Sequence, residues 1–315
     1  MRPLTKLAAF AAGTAIAFGA AAAVGAAVGP IDTSRDDDGH VEHDDEAPAG
    51  SPVTPSVGDA GPGLSGLSVA AAGYRLVPAV DTIDAEHAEH PTEYAFTIEG
   101  PDGEAVTEFD VVHERRLHLI VASRDLVEFH HVHPDLAADG TWSIDLPELP
   151  AGSYRVYADF RATGADALTL ATDLAVAGDT AVSELPAVAS TTTVDGFDVA
   201  LSGAEAISAG ESTLTFEVSR DGDDVVTDPY LGAAGHLVVL RAGDLGYLHV
   251  HPLDDVEAPS IGFAAAFPTA GTYRLFLDFS VDGEVHTAAF TVDVGNGGTA
   301  PSDGTATTGQ VHDDH

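Results

Sequence analysis

The chain has 315 residues, with 12 Lys and Arg against 51 Asp and Glu, a formal net charge of −39. A polyanion of this strength is excluded from nucleic-acid binding, which needs clustered cations. Cysteine is absent and the single Met and single Lys are Met1 and Lys6, so disulfides, thiolate sites, thioether sites for Cu(I) and catalytic lysines are excluded as well. The 15 histidines among the carboxylates are the chemistry that remains.

In chain order, Arg2 and Lys6 precede an uncharged run, Leu7 to Val28, and acid dominates from Asp32 onward. Basic flank, apolar stretch and acidic exit match export with the N-terminus held inside. The run is 22 residues, about the length that crosses a hydrocarbon core. It is rich in Ala and Gly, and a cleavage site among Ala20–Gly29 is the open alternative. Residues 1–29 are thus read as a signal-anchor, a transmembrane helix, or else as a cleaved signal peptide. Both readings place the rest outside the cytoplasm, as a single-pass membrane protein or a secreted one.

Residues 30–68 carry nine acidic residues, one basic residue (Arg35), and Pro48, Pro52, Pro55 and Pro62. Such a segment buries too little apolar area to order itself and reads as a disordered acidic linker. The tail, 296–315, reads the same way.

Between these ends lies an internal repeat. His118, His131, His133 and Pro134 recur as His236, His249, His251 and Pro252. Gly152, Tyr154, Arg155, Asp159 and Phe160 recur as Gly271, Tyr273, Arg274, Asp278 and Phe279. Tyr94, Phe96 and Ile98 alternate with polar residues, as do Leu214, Phe216 and Val218. Leu117–Val121 and Leu237–Leu240 are short apolar runs, expected where both faces of a strand are covered. Turn signals come every eight to twelve residues, and no amphipathic helix of useful length intervenes. The expected fold is therefore all-β: two tandem immunoglobulin-like antiparallel β-sandwiches, over 69–182 and 192–295. The Gly-x-Tyr-Arg segments at Tyr154 and Tyr273 resemble the tyrosine corner of such domains.

The histidines fall on what reads as a hairpin in each copy. A two-residue turn at Arg124-Asp125 sets His118 opposite His131, and one at Ala242-Gly243 sets His236 opposite His249. Residues two apart share a sheet face, so His133 joins His131 and His251 joins His249. The expectation is a three-His metal site in each sandwich: His118, His131 and His133 in the first, His236, His249 and His251 in the second. Neutral imidazole suits Cu2+ or Zn2+, with a carboxylate or water completing the shell. Asp278 and His286 are fourth-ligand candidates in the second copy, and Asp159, His113 or His130 in the first, although His130 has the wrong strand parity. Because imidazole must be neutral to ligate, affinity is expected to collapse below about pH 6.5. The bland reading of any one such histidine is a hydrogen-bonded core residue. His40 and His43, His87 and His90, and His312 and His315 are further pairs, read as solvated sequence with loose metal affinity.

No nucleophile elbow, phosphate-binding loop or HExxH motif occurs. A zinc-dependent hydrolase therefore ranks last, and the chain is read as a non-enzyme.

The repeated HxHP motifs, with PYLGAAGHLVVLRAGDLGYLHVHP and TAGTYRLFLDF, resemble a group of actinobacterial exported proteins. These carry an N-terminal apolar segment, an acidic linker and tandem immunoglobulin-like modules, and some are labelled heavy-metal-associated. The chain is also distantly similar to bacterial copper-resistance β-sandwiches with exposed histidine sites. The resemblance implies export, the tandem fold and, by label, a metal role at the six histidines. The function expected is extracytoplasmic binding of Cu2+ or Zn2+, in buffering or delivery. The alternative is a cell-surface structural or interaction module whose histidines are structural.

Overall fold

The computed structural model describes residues 64–85, 90–181, 183–253 and 256–296. The apolar N-terminal run, His40, His43, His87, His312 and His315 lie outside the described residues. Among the described residues no helix is long and apolar enough to cross a membrane.

The first domain has ten strands: β1 (Ala70–Ala71), β2 (Tyr74–Pro78), β3 (Thr82–Ile83), β4 (Thr92–Glu99), β5 (Leu117–Ser123), β6 (Phe129–Val132), β7 (Asp135–Leu136), β8 (Thr141–Leu146), β9 (Gly152–Phe160) and β10 (Leu168–Val176). One sheet runs β1-β2-β4-β8-β7 and the other β3-β10-β9-β5-β6, with β3 parallel to β10. This is the A-B-E-D and G-F-C-C′ order of an immunoglobulin-like sandwich. The alternation in β4 turns Tyr94, Phe96 and Ile98 inward, and Phe96 pairs with Trp142 across the sheet.

The second domain repeats the plan with β11 (Thr191–Val194), β12 (Phe197–Ser202), β13 (Gly210–Arg220), β14 (Asp223–Asp224), β15 (His236–Arg241), β16 (Tyr247–Leu248), β17 (Val250–Pro252), β18 (Ser260–Phe267), β19 (Gly271–Val281) and β20 (Glu284–Val294). Its sheets run β11-β12-β13-β18-β17 and β16-β15-β19-β20. Both tyrosine corners form: the Tyr154 hydroxyl donates to the Pro150 carbonyl at 2.6 Å, and that of Tyr273 to Thr269 at 2.9 Å.

The two apolar runs owe their second cover to the other domain. Leu117, Leu119 and Val121 face the core of the first sandwich. Ile120 and Ala122 face outward, into a third cluster with Tyr157, Val238, Leu240, Tyr247 and Phe276. The packing has approximate two-fold symmetry. Phe129 stacks on Phe276 with ring centroids 3.9 Å apart, and their repeat counterparts, Tyr247 and Tyr157, meet at 5.8 Å.

The hairpins differ from expectation. The Ser123 amide donates to the Glu128 carbonyl and the Arg241 amide to Gly246, so four residues, not two, make each turn. The Ser123 hydroxyl accepts from the Val127 and Glu128 amides, which closes the longer loop. Leu119 consequently pairs with Val132, and Val239 with Leu248. The register is shifted by two residues, which preserves the face each side chain takes. Residues 64–68, expected to belong to the linker, are part of the fold: Ser65 exchanges two backbone hydrogen bonds with Tyr247 of the second domain, and the Gly66 amide donates to Thr169 of the first.

Candidate metal centre

The interface face of β5 carries His118, Ile120 and Ala122, and that of β6 carries Phe129 and His131. Across from them, β15 presents His236 and β19 presents Phe276 and Asp278. His133 follows β6 on the same face as His131. Instead of one group per domain, the structure gathers His118, His131 and His133 of the first domain with His236 of the second. Ligand nitrogens of His118, His131 and His236 lie within 4.8 Å of one another.

The hydrogen-bond acceptors fix the tautomers. The Val112 carbonyl can only accept, so the His118 Nε2–H donates to it at 3.2 Å. The Asp278 carboxylate accepts from the His131 Nδ1–H at 2.7 Å. In the neutral rings the other nitrogens, His118 Nδ1 and His131 Nε2, both carry lone pairs, and they face each other at 3.0 Å. His133 Nε2 lies 3.2 Å from the same His118 nitrogen. With metal–nitrogen bonds of about 2.0–2.1 Å, such separations subtend roughly 90–105° at a shared ion, between octahedral and tetrahedral angles. Two such bonds span at most about 4.2 Å, so His236 completes the set after a small inward movement.

The electrostatics favour neutral rings. Burial, then the neighbouring His131, pushes His118 down to about 3. Burial, then His131 and Arg115, does the same to His133, also to about 3. His236 is pushed well below the ordinary histidine value by burial and by His131 and His118. The rings of His118, His133 and His236 are therefore neutral at neutral pH. The Asp278–His131 contact is the carboxylate–imidazole pairing that orients metal ligands, and the Thr287 hydroxyl donates to the other Asp278 oxygen at 2.6 Å.

His249 and His251 stand apart from this group. After Leu248 the chain leaves β15, and β17 pairs with β18 of the other sheet, His251 opposite Ala264. In the first domain the same switch of sheets waits until β7 at Asp135. Both second-domain rings point outward and are exposed. The fourth-ligand candidates also resolve differently. Asp278 orients His131, while Asp159 accepts the Thr169 hydroxyl at 2.9 Å. His286 pairs with Asp195 at 2.8 Å, packed on Phe197 and Phe279. His130, with the wrong parity, has its Nε2 buried without a hydrogen-bond partner. His113 has its ring 5.7 Å from that of His236 and 6.1 Å from that of His118.

The gathering of histidines from both domains into one group was missed from the sequence. The signal was there in the apolar runs that start beside His118 and His236: a strand covered on both faces in a two-layer sandwich needs a third layer, here the other domain.

No curated protein matches the chain. Among solved structures, the chain is similar to the Escherichia coli adhesin FdeC, at 16% identity and a TM-score of 0.24, over 71% of this chain and 64% of that one. It is similar to a Salmonella alpha-2-macroglobulin mutant at 14% identity and a TM-score of 0.26, over 74% of this chain and 15% of that one. The bacterial integrin-binding protein invasin follows at 16% and 0.21, over 71% and 39%. The chain thus spans less than two thirds of each of these three. A sequence family matches both halves of the repeat, and the chain belongs to it: the family is described as a domain of unknown function (DUF8832), carried here twice, over residues 77–178 and 192–296.

Proposed function

We propose that the chain is an extracytoplasmic pair of immunoglobulin-like modules that binds a divalent transition-metal ion, Cu2+ or Zn2+, at the interface between them. One observation carries the reading: the lone pairs of His118 Nδ1 and His131 Nε2 face each other at 3.0 Å, while the remote nitrogens of both rings donate to fixed acceptors, and His133 Nε2 lies 3.2 Å from the same His118 nitrogen. Without an ion or a proton between them those lone pairs repel. The all-nitrogen donor set suits Cu2+ and Zn2+ and lacks the soft sulfur that Cu(I) prefers. Ligands drawn from both domains make the bound ion a clamp as well as a cargo. The extracytoplasmic setting rests on the N-terminal sequence.

The test is titration of the full chain with Cu2+ and with Zn2+ against a competing chelator, which keeps the ion off the loosely binding histidine pairs. His118→Ala/His131→Ala run in parallel should lose the tight site. Equal weak binding by both proteins would overturn the proposal.

A second reading treats the chain as a cell-surface structural or interaction module whose histidines only hydrogen-bond. The His131–Asp278 contact favours it in one respect, since a protonated His131 would donate to Asp278 and His118 at once. It requires that the chain be equally stable with and without metal.

A further inference from the structure

The inner part of the centre is shielded from solvent: His118 is 3% exposed and the His131 side chain 2%, while His133 and His236 are partly buried. An ion arriving from outside needs a first foothold. His249 and His251 offer one, both exposed, with ring centroids 5.0 Å apart. Between them and the buried group stands His113 of the first domain, partly buried, its ring 5.7 Å from that of His236. Burial, then the nearby His249, lowers the proton affinity of His113 while the Asp159 carboxylate raises it, and burial, His249 and then His113 lower that of His251.

The turn that holds His113 recurs in both domains. His113 and Glu114 have φ of 47° and 63°, and Val112 and Arg115 on either side exchange two backbone hydrogen bonds. The second domain builds the same turn from Leu231 and Gly232, with φ of 53° and 81°, between Tyr230 and Ala233. There the first position is a leucine, 3% exposed and packed. The first domain thus spends a strained backbone position on an imidazole where the repeat needs only an apolar filler.

We propose that His249 and His251, together with His113, form an outer capture position for the divalent ion, which then passes by ligand exchange through His113 and His236 to the buried centre. The proposal rests on the reading of that centre as a metal site. Each transfer forms one metal–nitrogen bond as another breaks, and moves neither electrons nor protons. The neighbouring Asp159 carboxylate supplies negative charge at the stage where the ion has shed part of its water. The nearly stacked His236 and His118 rings, 5.2 Å apart and 8° from parallel, continue the line of imidazoles inward.

Rapid mixing of the full chain with Cu2+ in the presence of a competing chelator tests the route, read by the visible absorption of the imidazole-bound ion. His249→Asn/His251→Asn should slow loading by about tenfold or more with equilibrium affinity unchanged. His113→Leu, which installs the residue the second domain carries at this turn, should do the same and guards against a folding failure. His131→Ala should abolish the tight site. Loading as fast as wild type in both outer variants, or an affinity loss as large as that of His131→Ala, would overturn the route and leave the buried centre standing. Failure of the wild type to take Cu2+ from the chelator would overturn the centre itself, and the route with it.

Discussion

His131 of the first domain and Asp278 of the second share a 2.7 Å hydrogen bond across the domain interface, with side chains only 2% and 3% exposed. Both residues lie on the face of their own sandwich that points away from its core, beside Ile120 and Phe276 of the interface cluster. The repeat counterparts are His249 and Asp159, and no such bond joins them. The asymmetry comes from the chain path: β6 stays beside β5 through Val132, whereas β16 ends at Leu248. One half of a pseudo-symmetric interface has therefore become a closed polar centre, and the other half remains open to water.

Asp278→Asn isolates the role of the carboxylate. The asparagine oxygen can still accept from His131 Nδ1, and its amide can donate to the Thr287 hydroxyl, so the contact survives without its charge. Lower basicity of the His131 ring should reduce Cu2+ affinity by about 10–100-fold. Calorimetric titration beside the wild type measures it, and unchanged affinity would reduce Asp278 to a packing role.

Because ligands come from both domains, metal should stabilise the folded pair as a unit. At free ion about a hundredfold above Kd, mass action adds about 2.7 kcal/mol. Thermal unfolding of the full chain should shift upward with Zn2+ and return with a chelator, while His118→Ala/His131→Ala should show no shift. A metal-independent midpoint in the wild type would favour the purely structural reading of the histidines.

Much of this was legible beforehand, and the reasons differ by feature. The period-two pattern of Tyr94, Phe96 and Ile98 and the tyrosine corners report on local geometry, and each forms as read. The face shared by His118, His131 and His133 was also legible, since a two-residue shift of register leaves faces unchanged. The register itself was hidden because it depends on local turn bonds: the Ser123 hydroxyl captures two amides in the first hairpin, and the Asp244 carboxylate accepts from the Gly246 amide in the second. The partnership of His236 with the first domain was hidden for another reason. A repeat suggests that equivalent residues do equivalent jobs, whereas packing two copies face to face lets them share one. His249 and His251 fell outside the centre because Val250 is drawn into the core of the second sandwich and carries its strand to the other sheet.

The titrations set a pH window. Burial holds His118 and His133 near 3 in the folded chain, against about 6.5 for an unperturbed imidazole. Between those values the unfolded chain binds more protons than the folded one, so stability rises with pH. The metal-free protein should accordingly lose stability as pH falls from about 6.5 toward 3 and be insensitive to these groups above that range. The same burial weakens proton competition for the ion, so release from these rings is expected at a pH below about 6.5. Cu2+ retention followed over a pH series should fall off at a lower pH than in a short histidine peptide. Coincident release curves would contradict the buried, neutral state of these rings.

The aromatic contacts that flank the centre separate positioning from ligation. Phe276 is 1% exposed, stacks on Phe129 at 3.9 Å, and precedes Asp278 by two residues on the same face of β19. Phe129 stands in the same relation to His131 on β6. Phe276→Ala should cost about 3–5 kcal/mol in unfolding free energy and should also weaken Cu2+ binding, although no ligand is touched, because the stack sets how β6 and β19 face each other. Tyr157 occupies the counterpart position beside Tyr247, and its hydroxyl donates to the Leu245 carbonyl at 2.6 Å. Tyr157→Ala should destabilise the interface by a similar amount but leave Cu2+ affinity nearly intact, since its side of the pseudo-dyad carries no closed centre. Denaturant unfolding and Cu2+ titration of both variants check the contrast. Equal losses of affinity would mean that the ion responds to interface stability as a whole, rather than to the local geometry fixed by the Phe129–Phe276 stack.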